Sequence, residues 1–331
     1  MDFHPVMQTE PYAQFAPLPG EFAQRFLSDS GGLLTKFRRA MRPFKFEPEP
    51  AAGGVNLTGD RVAVMLVQNI LQDITIDLHD VRDVSAERVD EIIEVNTANM
   101  LKRDFAFRFE GVFSPVRPSS LAQVAFMGLL LKKSEKLLIA VGPTGTGKTY
   151  LAIAAGINML AEERIKHLVI TRPHVLLEGE VVTATTRQET QYDEQFTAIE
   201  DTLESLIGYT AYRDLIAHKK LEIAPLGHLR GRTFNKAMII IDDAQNMTVQ
   251  KMRMAVTRLG EDSRLVIAGD PSNIDLRGDD PSGLKHLVNL VQGTDIAEIF
   301  RFENNDIIRN KTVARLEQLY SQGNGREAMS A

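Results

Sequence analysis

Leu137-Leu138-Ile139-Ala140-Val141 runs directly into Gly142-Pro143-Thr144-Gly145-Thr146-Gly147-Lys148-Thr149, and an apolar stretch opening at Tyr150 follows. The order is strand, glycine-rich loop, helix, the context in which G-x-x-x-x-G-K-T is a phosphate-binding P-loop rather than an ordinary turn. Gly142, Gly145 and Gly147 allow the backbone to curl its N–H groups inward around phosphate, with Pro143, Thr144 and Thr146 completing the loop and Tyr150 following it. Lys148 is placed to reach the β and γ phosphates, and the Thr149 hydroxyl to take a Mg²⁺ position. The positive end of the helix opening near Gly147 adds to the same anion site. The reading is a nucleoside triphosphate site.

Outward from this loop the pattern stays α/β. Short continuous apolar runs at Leu137–Val141, 167–171, Ala237–Ile241 and 264–268 read as strands covered on both faces. Helical stretches intervene at 148–162, 248–259 and 282–291, predicting a mostly parallel sheet with helices on both faces. In such sheets ligands sit beyond the carboxyl ends of the strands. Each of the four runs ends in chemically loaded residues: Gly142, Arg172, Asp242-Asp243 and Gly269-Asp270.

The run Ala237-Met238-Ile239-Ile240-Ile241 ending in Asp242-Asp243-Ala244-Gln245 reads as a Walker B strand. Asp242 is the expected Mg²⁺ partner, since Mg²⁺ keeps several waters and takes few carboxylates. Asp243 is the candidate base that orients and deprotonates the attacking water, and Gln245 a further candidate nucleotide contact. Asp270 is a candidate γ-phosphate sensor or a tight turn. Arg309 is a candidate arginine finger or a surface ion pair. Between the second and third strands lie charged, hydroxyl-rich residues. There Arg172, Arg230 and Arg232 suit phosphate contacts of nucleic acid or belong to solvated loops.

The rest of the chain is less informative. Its 331 residues allow one large or two modest domains, and 44% hydrophobic with 25% charged residues is ordinary globular usage. There is no cysteine, so disulfides, thiol nucleophiles and cysteine–zinc sites are excluded. No apolar run reaches the length of a membrane span, and residues 1–10 carry two acids and no Lys or Arg, unlike a secretory signal. A cytoplasmic protein without membrane partners is expected. The net charge of −6 disfavours non-specific nucleic-acid binding, leaving only local basic loops for it. Residues 1–55 read as a weakly structured arm, rich in proline (Pro17, Pro19, Pro43, Pro48, Pro50), with a basic helical segment at 33–41. Residues 56–115 read as a small domain of unassigned role: 61–76 is helix or strand pair, 88–103 helix, and Phe105, Phe107 and Phe109 mark a half-buried strand. Residues 116–322 form the ATPase core and 323–331 a flexible tail.

The ordered set 142–149, Thr171-Arg172-Pro173, Arg230–Phe234, Ile239–Asn246, 257–276 and Asp306-Ile307-Ile308-Arg309 closely resembles the PhoH-like family, P-loop ATPases related to the single RecA-like core of superfamily-one helicases. The resemblance covers about the last two thirds of the chain. It implies a RecA-like fold, ATP hydrolysis with Mg²⁺, RNA or single-stranded DNA as ligand, and ring oligomers, often hexamers. It also implies that Gln123 reads the adenine edge, that Lys148 and Thr149 hold phosphate and Mg²⁺, that Asp242 takes the metal, and that Asp243 activates water. With one RecA-like unit per chain, Arg309 would act on a neighbour's nucleotide. Three positions depart from the family pattern. Asp243 stands where the family has Glu and Asn273 where it has Gln, each one methylene shorter, and residues 175–191 replace a Gly-Pro-rich loop. A base misplaced by about 1 Å can cost ~10²-fold in rate, so slow hydrolysis with intact binding is expected. That keeps open an ATP-dependent assembly switch beside the motor reading. A small-molecule kinase is disfavoured by the Asp-Asp-Ala-Gln box.

Overall fold

A computed structural model describes residues 12–80, 84–104, 111–113, 115–132, 134, 137–173, 187–276 and 281–308. The chain divides into two compact units, Met1–Phe107 with Arg117–Lys132, and Arg108–Val116 with Lys133–Ala331.

The first unit is built from β1 (Tyr12–Pro17), α1 (Gly20–Leu27), α2 (Leu33–Ala40), β2 (Phe46–Ala51), β3 (Gly54–Gly59), α3 (Arg61–Asp80), α4 (Ala86–Asp104) and α5 (Leu121–Leu131). Its strands form an antiparallel sheet in the order β1-β3-β2. Residues 12–51 are therefore folded, where the sequence pointed to a weakly structured arm. The prolines explain the difference. Pro17 lies in β1, and Pro48 and Pro50 in β2, the two edge strands, where a missing N–H need not break a ladder; central β3 has none. The core beneath the sheet holds Phe26 and Phe37, both fully buried and packed edge to face with ring centroids 5.4 Å apart. Residues 61–76, ambiguous in sequence, lie within a single helix: Val62, Ala63, Val64, Leu66, Val67, Ile70, Leu71 and Ile74 are all buried on one broad face, while Asn69, Gln72 and Asp73 are exposed. Leu121 and Val124 of α5 join this same core, so α5 packs with the first unit although it lies in the 116–322 segment. Phe105, Phe107, Phe109 and residues 323–331 lie outside the described residues.

The second unit carries β4 (Leu137–Val141), α6 (Lys148–Ala161), β5 (His167–Arg172), α7 (Arg187–Ala217, broken at Gly208), β6 (Leu221–Pro225), β7 (Ala237–Ile241), α8 (Val249–Val256), β8 (Arg264–Gly269), α9 (Gly283–Val291) and β9 (Ala297–Arg301). The strands form one six-stranded sheet in the order β6-β5-β7-β8-β4-β9, every pairing parallel. β8 thus stands between the P-loop strand β4 and the Walker B strand β7, the order of a RecA-like core. All five residues of β7 are buried, as are all six of β8. Two strands escaped the sequence reading, β6 and β9. Both lie at the ends of the sheet, and Glu222 and Glu298 interrupt the apolar runs that would mark them. The charged stretch after β5 likewise contains a helix, α7, and not loop alone.

Candidate functional site

Because all six strands are parallel, the residues that end them meet on one edge of the sheet. Leaving β4, Gly142 takes φ 143°, and a Cβ there would fall 2.5 Å from the Phe302 carbonyl oxygen. Gly145 and Gly147 also sit at positive φ (85° and 83°), so the loop needs glycine at these turns. The Ile308 N–H donates to the Gly145 carbonyl at 2.9 Å, laying the segment after β9 against the loop.

Lys148, nearly buried, folds back over this loop. Its Nζ donates to the carbonyls of Gly142 (2.8 Å) and Pro143 (2.6 Å) and to Thr146 Oγ1 (3.1 Å). Burial pushes its ammonium down to about 8, against the opposing pull of the Asp270 and Asp242 carboxylates. The Thr149 hydroxyl donates to Asp242 Oδ1, joining the P-loop to β7. Burial raises the Asp242 carboxyl, while Thr149, Arg172 and Lys148 hold it back. A half-buried hydroxyl and carboxylate side by side are hard oxygen donors that fit Mg²⁺ completed by phosphate oxygens and water.

Asp243 follows in a left-handed conformation, φ 50° and ψ 39°. Asp is one of the few residues that tolerate this region. Arg172, the last residue of β5, donates from Nη2 to Asp243 Oδ2 and lies with Nε 3.9 Å from Asp242 Oδ2. Gln245 is a strut rather than a pocket wall. Nearly fully buried, its Oε1 accepts from the Asp270 N–H at 3.0 Å and its Nε2 lies 3.4 Å from Asp243 Oδ1. Asp270 is buried, with Oδ1 accepting from the Ser272 N–H (2.9 Å) and hydroxyl (2.5 Å).

A cavity of about 290 Å³ brings together Lys148, Thr149, Arg172, Asp242, Asp243 and Asp270, with Thr144, Gly145, Gly147 and exposed Tyr150 at its rim. Its remaining wall comes from α7 (Ala198, Ile199, Thr202), which sequence reasoning missed because nothing in that helix carries a motif. A larger cavity of about 690 Å³ lies at the other edge of the sheet, at the amino ends of β5 and β6. Its polar lining, Lys219, Glu222, Arg232 and Thr233 among it, includes neither the glycine-rich loop nor the Asp242-Asp243 pair, so size does not decide between the two; the chemistry does.

Of the remaining candidates, Arg230 and Arg232 do not line this cavity. Arg232 lines the larger cavity, paired in a fork with Glu222 (2.5 and 2.7 Å) and stacked 4.5 Å over the Phe234 ring. Arg230 is exposed beyond the short 3₁₀ turn Leu226–Leu229. Gln123 belongs to α5 of the first unit, where its Oε1 accepts from the Ser119 N–H at 2.9 Å. Arg309 lies outside the described residues. No helix among the described residues is long and apolar enough to cross a membrane.

Sequence comparison finds relatives of this chain. PhoH-like proteins of Mycobacterium tuberculosis and Bacillus subtilis are 31% and 32% identical over 207 and 209 residues, spanning 62% and 63% of this chain and 58% and 65% of theirs. Protein PhoH of Escherichia coli is 29% identical over 210 residues, 63% of this chain and 59% of its own. The chain thus matches under two thirds of each relative's length. Among solved structures, the Pyrococcus furiosus Hef helicase domain (TM-score 0.33, 15% identity, 55% of this chain and 38% of that one) resembles it. So does the Sulfolobus solfataricus SWI2/SNF2 ATPase core in complex with dsDNA (0.37, 15%, 62% and 49%). Likeness that low adds nothing to the strand order above. The model of the PhoH-like protein family matches residues 115–321, taking in every group of the P-loop cavity, and the chain is a nucleotide-binding member of that family.

Proposed function

We propose that the chain binds ATP with Mg²⁺ in the P-loop cavity, hydrolyses it, and couples turnover to RNA or single-stranded DNA as a ring-forming oligomer. The observation that carries the reading is the convergence of Lys148 and Thr149, at the start of α6, with Asp242 and Asp243, at the end of β7, on one cavity. Lys148 would neutralise the β and γ phosphates and Thr149 with Asp242 would hold Mg²⁺, which polarises the phosphoryl group. Asp243 would take the proton of the attacking water. The experiment is steady-state ATPase with Mg²⁺, with and without single-stranded RNA or DNA, alongside sedimentation with and without ATP. Turnover that rises several-fold with nucleic acid supports the coupling; identical rates at saturating nucleic acid sink it. A monomer with undiminished turnover sinks the ring.

One observation favours the second reading, a slow ATPase acting as an assembly switch: Arg172 lies on the carboxylate that would act as base.

The state of Lys148 gives a pH dependence. Bound phosphate favours the ammonium, so above about 8 nucleotide binding must take up a proton. ATP affinity is therefore expected to be level below pH 7 and to fall as pH rises through 8, approaching roughly tenfold per unit. Calorimetric titration in two buffers of different ionisation heat reads the proton uptake directly. Affinity unchanged to pH 9.5 would contradict it.

A further inference from the structure

Arg172 was read from sequence as a nucleic-acid phosphate contact or part of a solvated loop, and its guanidinium lies on the acid pair. We propose that Arg172 is a positioning residue that restrains Asp243, so that ATP hydrolysis requires its guanidinium to leave that carboxylate; the proposal rests on the ATPase reading above. Three observations carry it. The guanidinium donates to Asp243 Oδ2 while the other carboxylate oxygen lies 3.4 Å from Gln245 Nε2, so donors stand at both oxygens. A carboxylate engaged by a cation on one side and an amide on the other is a poor acceptor for a water proton. The backbone of Asp243 cannot simply turn the group away, because its left-handed conformation is fixed by the 3₁₀ turn that follows, with the Asn246 N–H donating to the Asp243 carbonyl at 3.1 Å. The Arg172 side chain keeps 29% of its surface open to solvent and carries its guanidinium on a long stem that a second anion can draw aside.

The test compares wild type, Arg172→Gln and Arg172→Lys in steady-state ATPase without nucleic acid. Equilibrium binding of a fluorescent ATP analogue is measured on the same proteins and on Lys148→Ala. Losing one charge-assisted hydrogen bond is expected to raise kcat of Arg172→Gln roughly tenfold, with KM for ATP changed by less than about threefold. Arg172→Lys, which keeps a cation but not the fork, is expected to stay near wild type. A merely structural role would lower kcat in both variants. Arg172→Gln no faster than wild type while binding ATP equally well overturns the restraint and leaves the nucleotide site standing. Arg172→Lys as fast as Arg172→Gln overturns it too, since the cation would then be irrelevant. If neither wild type nor Arg172→Gln binds the analogue more tightly than Lys148→Ala, the ATPase reading itself has failed and the restraint falls with it.

Discussion

Lys148→Ala is expected to lower kcat/KM for ATP by about 10²–10³-fold, the usual consequence of removing one preorganised charge from a developing anion. The argument is geometric. Nζ is held by the carbonyls of Gly142 and Pro143 and by Thr146, inside the curl where the phosphates are expected. Its orientation is set before any ligand arrives, so little reorganisation offsets its charge. The truncation also leaves two loop carbonyls without their donor, and the loop is expected to loosen as well as lose charge. Steady-state ATPase and equilibrium nucleotide binding separate these effects. A loss confined to kcat marks transition-state stabilisation, whereas a matching rise in Kd marks a damaged loop. Turnover that survives the substitution would mean that the chemistry lies elsewhere. If wild type binds ATP but turns over no faster than the variant, the switch reading leads.

Phe26→Ala is expected to destabilise the first unit by about 3–5 kcal/mol, the typical cost of emptying a buried aromatic site. Phe26 is fully buried, packs edge to face on Phe37, and lies in one cluster with Val55 and Leu57 of β3 and Ile70 and Leu71 of α3. Hydrogen exchange is the suitable readout, because a chain of two units has no single unfolding free energy. Protection in β3 and α3 should fall together, with Phe26→Leu losing much less. Unchanged protection in β3 would mean that residues 12–51 are not part of that core.

These two sites differ in how legible they were. The P-loop, the Walker B strand and their order announce themselves because phosphate chemistry restricts residue types at fixed spacing, and because strands buried on both faces read as unbroken apolar runs. The first unit is built the other way. Its strands are short, its prolines sit on sheet edges, and a pattern of Pro17, Pro48 and Pro50 looks like a disordered arm until the pairing partners are known. β6 and β9 were hidden by a glutamate in each. Arg172 and Gln245 were both visible as candidates, yet their partners were not. An arginine at a strand tip looks alike in sequence whether it faces a ligand or a carboxylate one strand away.

The placement of β8 has a mechanical consequence. Strands in a sheet lie about 4.8 Å apart, so the tip of β8 is flanked closely by the phosphate loop on one side and the acid pair on the other. That tip has no slack. A Cβ on Gly269 would meet Leu284 Cδ2 at 2.6 Å and Gln245 Oε1 at 2.7 Å. Gln245 ties it to the Asp270 N–H, and the Ser282 hydroxyl donates to the Gln245 carbonyl at 2.9 Å, clamping the start of α9 to the same point. The cavity therefore has a stiff keel and compliant sides. In the proposed ATPase cycle, displacement would fall on long side chains such as Arg172, while the loop that would seat the phosphates keeps its shape.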